Sequence, residues 1–156
     1  MTKLRQSVLL ACLSLVVAGP ALADREEDRE AIHALMWKYA RALDTWDADA
    51  YASVYTEDGQ FGVGDAATKG REALRNMISG FTAGGAAPPQ LYHMTADTWI
   101  EFVDDTHARH HSYWITMRAA SGDTPAGVAA VGVGLDELVK VDGEWLIGLR
   151  NVNADQ

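Results

Sequence analysis

The sequence predicts an α+β fold in one domain, and three observations support this prediction. Helical periodicity fills the N-terminal part of the 156-residue chain, β-rich runs fill the rest, and short turn sequences separate those runs. Because short links make consecutive strands pair antiparallel, we expect a meander sheet with one face covered by the helices. The length and the composition, 48% apolar and 22% charged, are those of one ordinary globular domain.

The first predicted helix runs from Arg25 to Asp44. Its apolar residues recur at the spacing of one helical face: Ile32, Leu35, Met36, Tyr39, Ala40 and Leu43. Asp24 is the expected N-cap. The acids between residues 26 and 30 would lie in the first turns, where the helix dipole favours negative charge.

Two shorter helices and a brief strand complete the N-terminal part. We expect the helices at residues 47–55 and 71–81, and the strand near residues 60–63. The stretch 84–89 is rich in small residues and proline and ends the helical pattern. Four β-rich runs follow, at residues 91–103, 107–119, 127–141 and 144–152. Asp142-Gly143, between the last two runs, is a strong hairpin signal.

The first 23 residues have the pattern of a secretory signal peptide. Two basic residues precede an apolar run from Val8 to Val17, and a small-residue sequence ends at Ala23. The run is about half of the roughly 20 residues that a membrane-spanning helix needs, which disfavours a retained anchor. We therefore expect cleavage after Ala23 and a periplasmic or secreted protein. A lipoprotein signal at Cys12 is the alternative, although the apolar run continues past that residue.

Charge and cysteine content exclude several function classes. The chain has a formal net charge of −9 and one cysteine, and cleavage would leave 133 residues at −11 with no thiol. Nucleic-acid binding depends mainly on Lys and Arg contacts to phosphate, so we expect no nucleic-acid partner. Thiol catalysis is excluded for the processed chain. Catalysis would therefore rest on His, Asp, Tyr and Arg.

Asp44 and His93 are the first candidates for chemistry. Asp44 lies at the end of the first helix and at the edge of its apolar stripe, where a carboxylate needs a donor or a cation. In the first β-rich run, Tyr92 and Met94 begin an alternating face that resembles ordinary core. His93 lies on the other face, which suits either the surface or a pocket wall. The alternative for Asp44 is a turn residue that caps the second helix.

Aromatic residues are numerous and are the candidates for ligand binding. Most would fill the core, but a curved sheet would leave some of them lining a cavity for a small apolar, aromatic or polycyclic molecule. The residues predicted to line it are Trp37, Tyr55, Phe61, Trp99 and Trp114. Arg150, on the last strand, would supply positive charge to that cavity or form a surface ion pair.

We expect neither a metal nor a cofactor. The sequence contains no phosphate-binding GxxxxGK[ST], no GxGxxG and no GxSxG. His107, His110 and His111 do not have the spacing of a metal site, because adjacent strand residues point to opposite faces.

The order of motifs resembles the SnoaL-like branch of the nuclear transport factor 2-like superfamily. The resemblance is carried by AIHALMWKYARALDTWDADAYASVYTEDGQF, KGREALRNMI, LYHMTADTWIEF and VDGEWLIGLR, which together span the predicted mature chain. It implies a conical α+β cup, in which a curved antiparallel sheet and N-terminal helices enclose a deep pocket.

Within that superfamily, the sequence is similar to scytalone dehydratase and hexachlorocyclohexane dehydrochlorinase. In those enzymes an Asp at the end of the first helix orients a strand His that acts as base, and Asp44 and His93 match these positions. Arg150 matches an Arg of the dehydrochlorinase, which has a Lys where Tyr39 stands here. The second catalytic His of the dehydratase has no secure counterpart. Ketosteroid isomerases share the cup but use an Asp base, which fits this sequence less well.

The resemblance implies a cofactor-independent lyase or isomerase, of dehydratase or dehydrohalogenase type. His93 would abstract a proton, Asp44 would orient it, and Arg150 or Tyr39 would stabilise negative charge. The alternative is a non-catalytic module of the same fold that binds a small ligand or dimerises. Homo-oligomers are left open, and no membrane contact is expected after cleavage of the signal peptide.

Overall fold

The computed structural model describes residues 20–85 and 87–155. Its helices are α1 (Pro20–Asp44), α2 (Ala48–Ser53) and α3 (Arg71–Thr82). Its strands are β1 (Tyr55–Phe61), β2 (Thr68–Lys69), β3 (Leu91–Phe102), β4 (His107–Arg118), β5 (Gly127–Val141) and β6 (Glu144–Asn151). The three predicted helices and the four C-terminal strands are confirmed, and their bounds differ from the predicted ones by a few residues at most, except at the start of α1.

All six strands form one curved, open sheet in the order β2-β1-β6-β5-β4-β3. Strands β3 to β6 are the expected antiparallel meander. The sheet is mixed rather than purely antiparallel, because β1 pairs in parallel with β6. The chain reaches β6 from β1 only after α3 and four intervening strands, so no local turn fixes their relative direction. The predicted α+β cup is otherwise confirmed.

The helices cover the concave face of the sheet. The apolar stripe of α1 is buried, with Ile32 fully inaccessible and Leu35, Met36 and Tyr39 each at most 6% exposed. These side chains form one core cluster with residues of α2, α3 and the central strands. Burial of this stripe, rather than intrinsic helix propensity, is what stabilises α1.

The start of α1 differs from the prediction. The helix begins at Pro20, so Asp24 lies within it rather than at its N-cap, and no acid lies in the first turn. Asp28 is buried, and its Oδ1 accepts hydrogen bonds from Lys140 Nζ at 2.6 Å and Trp145 Nε1 at 2.8 Å. The prediction that the acids serve the helix dipole is therefore wrong for Asp28, which connects α1 to the sheet. Residues 1–19 of the predicted signal peptide lie outside the described residues.

A bulge in β3 exchanges the two faces of that strand. The pairing with β4 shifts between Ala96 and Trp99, and Asp97 has a positive φ of 46°. An extra residue in one strand moves every later side chain to the opposite face. Tyr92 and Met94 are therefore about half exposed while Ile100 is buried. The predicted shared core face is wrong, and His93 instead faces the interior of the cup.

Candidate active site

A cavity of about 340 Å³ lies between α1, α3 and the concave face of the sheet. This volume falls in the range of small-molecule sites. Most of its lining is apolar: Ala40, Leu43, Trp46, Phe61, Met77, Ile78, Phe81, Leu91, Met94, Trp114, Ile115, Ala130 and Val152. Polar side chains line it as well: Tyr39, Tyr51, His93, Thr95, Thr116 and Arg150.

The end of α1 places a carboxylate, that of Asp44, against His93 in the wall of this cavity. The helix stops at Asp44 because Trp46, two residues on, adopts a left-handed backbone conformation with φ of 56°. The Trp46 indole Nε1 donates to the backbone oxygen of Pro89 at 3.3 Å, just before β3 begins. This contact ties the end of α1 to the start of β3, where His93 lies.

Asp44 and His93 are in direct contact. Asp44 Oδ1 accepts from the His93 backbone N–H at 2.8 Å and contacts the ring Nδ1 at 2.9 Å, and Oδ2 lies 3.4 Å from an Arg41 nitrogen. Asp44 is 7% exposed. An ionised carboxylate only accepts hydrogen bonds, so Nδ1 carries the proton in the neutral ring and Nε2 is its basic atom.

Arg150 lies at the floor of the cavity. It is 2% exposed, and its guanidinium carbon is 4.3 Å from the centre of the Tyr39 ring. Burial raises the pKa of Tyr39, although the Arg150 charge opposes this, so its hydroxyl is a donor at neutral pH. Burial disfavours the Arg150 charge, yet the Asp136 carboxylate and a hydrogen bond with Tyr39 oppose burial, and the pKa of Arg150 is raised. The floor of the cavity, formed by Arg150 and Tyr39, thus combines a permanent cation with a phenol.

Comparison with known proteins identifies the family. The family model for the SnoaL-like domain matches residues 24–151. The chain belongs to the SnoaL-like domain family. No curated protein matches it.

Solved structures share the fold of this SnoaL-like domain. An NTF2-like protein with a cystatin-like fold from Novosphingobium aromaticivorans superposes with a TM-score of 0.73 at 26% identity, covering 84% of each chain. A protein of the same organism with the provisional name scytalone dehydratase gives 0.71 at 24% identity, covering 83% of this chain and 85% of that one. A Catenulispora acidiphila structure in complex with S-DNPA gives 0.70 at 24% identity, covering 83% and 95%. Membership of the NTF2-like fold is thereby shown.

The aromatic residues of this SnoaL-like domain divide into two groups. Phe61 and Trp114 line the cavity. Tyr55, also predicted to line it, is instead buried behind it, with its hydroxyl 3.0 Å from that of the lining residue Tyr51. Trp37 and Trp99 are 68% and 59% exposed, so the prediction that they line the cavity is wrong. Trp37 lies outside the apolar stripe of α1, and Trp99 follows the bulge that reverses β3.

The three histidines of β4 are separated, as their spacing predicts. His107 is exposed beside Asp104, and His111 stacks on the exposed Trp99. His110 alone faces inward, where its Nδ1 contacts Asp136 Oδ2 at 3.0 Å. Within the described residues, no group of three or more His, Cys, Asp or Glu side chains is placed to hold a metal ion.

Sequence reasoning missed Asp136, Thr116, Trp46 and Tyr51 as parts of this site. The sequence does contain a signal for Asp136. It alternates with Gly134 and Leu138 on the inward-facing side of β5, and a buried acid on that side needs a partner. Thr116 is the residue paired directly with His93 across β3 and β4. It therefore lies beside His93 in the cavity wall, on the strand that also carries the three histidines.

Proposed function

We propose that the protein is a cofactor-independent enzyme of lyase or isomerase type that acts on a small apolar or aromatic molecule. The proposal rests on one observation, the contact between Asp44 and His93 on the wall of a largely apolar cavity. A histidine held by a buried carboxylate next to a ligand-sized cavity is the arrangement that general-base chemistry requires.

In the proposed reaction, His93 Nε2 takes a proton from a carbon atom of the substrate. The ring becomes an imidazolium, whose charge the Asp44 carboxylate balances through Nδ1. Negative charge that develops on the substrate is stabilised by Arg150 and by the Tyr39 hydroxyl, which line the same cavity. General-base assistance of this kind contributes about 10²–10⁴-fold to a rate.

A binding module without chemistry is the competing function. A cup filled by tryptophan side chains would favour it, whereas a hydrogen-bonded Asp–His pair that opens onto a cavity favours an enzyme. The cavity has tryptophans in its wall but retains about 340 Å³. The enzyme is therefore the better supported of the two.

Proton abstraction can be measured without knowing the complete reaction. The purified protein in D₂O is incubated with 2-tetralone, a β-hydroxyketone and a polychlorinated cyclohexane, and loss of carbon-bound protons is followed by NMR. We expect exchange or elimination above the buffer rate with at least one compound, and a return to the buffer rate in His93→Ala. His107→Ala, which alters an exposed His–Asp pair on a turn, is the matched control. Wild-type rates in His93→Ala, or no activity with any compound, would favour the binding module.

Export and self-association are also proposed. Export rests on the signal-like residues 1–23, and among the described residues no helix is long and apolar enough to cross a membrane. Self-association is supported by exposed apolar side chains on β3, β4 and β5, of which Tyr113 is 58% and Val131 63% exposed. Such a surface is typical of protein–protein contacts. Sedimentation velocity should detect an oligomer that Val131→Asp dissociates.

A further inference from the structure

Arg150 at the cavity floor is held by a row of buried side chains on three neighbouring strands. His110, Asp136 and Arg150 are direct cross-strand neighbours on β4, β5 and β6. Asp136 Oδ2 contacts His110 Nδ1 at 3.0 Å and accepts from an Arg150 terminal nitrogen at 2.5 Å. His110 and Asp136 are inaccessible to solvent and Arg150 nearly so. The guanidinium therefore has a fixed position and a fixed counter-charge.

This counter-charge determines what the floor can bind. Among the described residues that line the cavity, Arg150 has the only permanent charge, and Asp136 already balances it. A carboxylate ligand would lose its hydration and meet a cation that is already paired, with a second carboxylate behind it. That loss of hydration is costly when no free cation compensates it. An uncharged oxygen can accept a hydrogen bond there with a much smaller desolvation cost.

Unused hydrogen-bonding capacity points to the same place. Arg150 Nε and Asp136 Oδ1 are buried and have no partner within residues 20–85 and 87–155, and the same holds for Ser112 Oγ and His110 Nε2. Buried polar atoms in folded proteins nearly always have a partner. Of these four residues only Arg150 lines the cavity, so its guanidinium is the polar group that a ligand can meet at the floor.

We propose that Asp136 is a positioning residue that makes the Arg150 floor selective for an uncharged oxygen, such as that of a ketone, quinone or alcohol, over a carboxylate. This selectivity deepens the proposed function and rests on it, because it assumes that the cavity is the substrate site. It assigns the substrate an uncharged oxygen-bearing end that faces Arg150 and Tyr39. Asp136 itself does not touch the ligand and acts through the charge and position of Arg150.

The test compares three probes of matched shape by isothermal titration calorimetry: naphthalene, 2-acetylnaphthalene and 2-naphthoate. With the wild type we expect 2-acetylnaphthalene to bind more tightly than either of the others. Asp136→Asn keeps the size of the side chain but removes its charge, which leaves Arg150 uncompensated. Binding of 2-naphthoate should then strengthen at least about tenfold, while that of 2-acetylnaphthalene changes by less than about threefold. Adding Arg150→Met should abolish the gain.

Two results would overturn the proposal. If Asp136→Asn weakens both oxygen-bearing probes equally, Asp136 only supports the fold. If the wild type prefers 2-naphthoate, the floor is a carboxylate site.

A second variant covers the case in which Asp136→Asn does not fold. The double variant Asp136→Asn/Arg150→Met replaces a buried ion pair by neutral side chains, a change that folded proteins often tolerate. It should bind 2-acetylnaphthalene no better than naphthalene, and a retained preference for the ketone would contradict the proposal. These measurements need no turnover, so failure of His93 to exchange protons would count against the proposed function and leave the selectivity intact.

Discussion

Asp44 and His93 are joined twice through one carboxylate oxygen, once to the backbone N–H and once to the ring. The backbone contact fixes the carboxylate relative to β3, and the ring contact fixes the orientation of the imidazole. His107 and Asp104 have the same double contact within one exposed turn. The contact alone is therefore a common local motif. What distinguishes Asp44 and His93 is that 49 residues separate them and that the ring lines a cavity.

Trp114, rather than Trp99, should determine ligand affinity. Trp114 lines the cavity and is held by a hydrogen bond from its Nε1 to the Val152 oxygen at 2.9 Å. Trp114→Ala removes a large apolar wall, so we expect the affinity for 2-acetylnaphthalene to fall about tenfold or more. Trp99→Ala, at an exposed position, should leave it unchanged. Equal losses in the two variants would show that the ligand does not bind in this cavity.

Gly132 makes room for Trp114. A Cβ atom at this position would lie 2.7 Å from the Trp114 ring, closer than real contacts allow. Gly132→Ala should therefore destabilise the fold by about 1–3 kcal/mol in urea unfolding and displace the cavity wall. Gly80→Ala, at an open position within α3, is the control and should stabilise the protein by up to about 1 kcal/mol. A Gly132→Ala protein as stable as the wild type would contradict this packing.

Asp28 should contribute to the acid sensitivity of the fold. Burial alone would raise its pKa, but hydrogen bonds from Lys140 and Trp145 outweigh burial and lower the pKa below the ordinary 3.8. Because the pKa of Asp28 is lower in the folded state than in the unfolded state, its ionised carboxylate stabilises the fold. This stabilisation is fully present above pH 3.8, the ordinary pKa, and is lost as the pH falls through the pKa of the folded state. Asp28→Asn should therefore be less stable than the wild type at neutral pH, and the difference should shrink in acid.

The control for this prediction is Glu27→Gln, which changes an exposed acid next to Asp28. Its unfolding free energy should follow that of the wild type from neutral pH to about pH 2, because an exposed carboxylate contributes little. A constant difference between Asp28→Asn and the wild type over that range would mean that Asp28 acts through packing alone.

The sequence predicts elements well where its pattern is local. The stripe of α1 and the hairpin signal at Asp142-Gly143 depend on neighbouring residues, and both are confirmed. Asp44 was recognisable because a carboxylate at the edge of an apolar stripe requires partners. The parallel pairing of β1 with β6 had no such signal, because it joins segments far apart in the chain.

Three errors have physical causes that the alternation of apolar residues does not reveal. The bulge at Asp97 exchanges the two faces of β3 without any break in the apolar pattern. The pattern therefore predicts the wrong face for Tyr92 and Trp99. Trp37 is exposed because it lies outside the apolar stripe of α1, and its size alone does not predict burial. Asp28 does not serve the helix dipole because α1 begins at Pro20, so Asp28 lies beyond the first turns of the helix.

The central claim is that Asp44 makes His93 a base, and the proton-exchange rate of Asp44→Asn tests it most directly. An amide can donate to Nδ1, which would put the proton on Nε2, so we expect the exchange rate to fall about 10²–10⁴-fold while the fold and probe binding persist. Asp104→Asn, in the exposed pair, should exchange at the wild-type rate. Wild-type exchange by a folded Asp44→Asn protein would contradict the account.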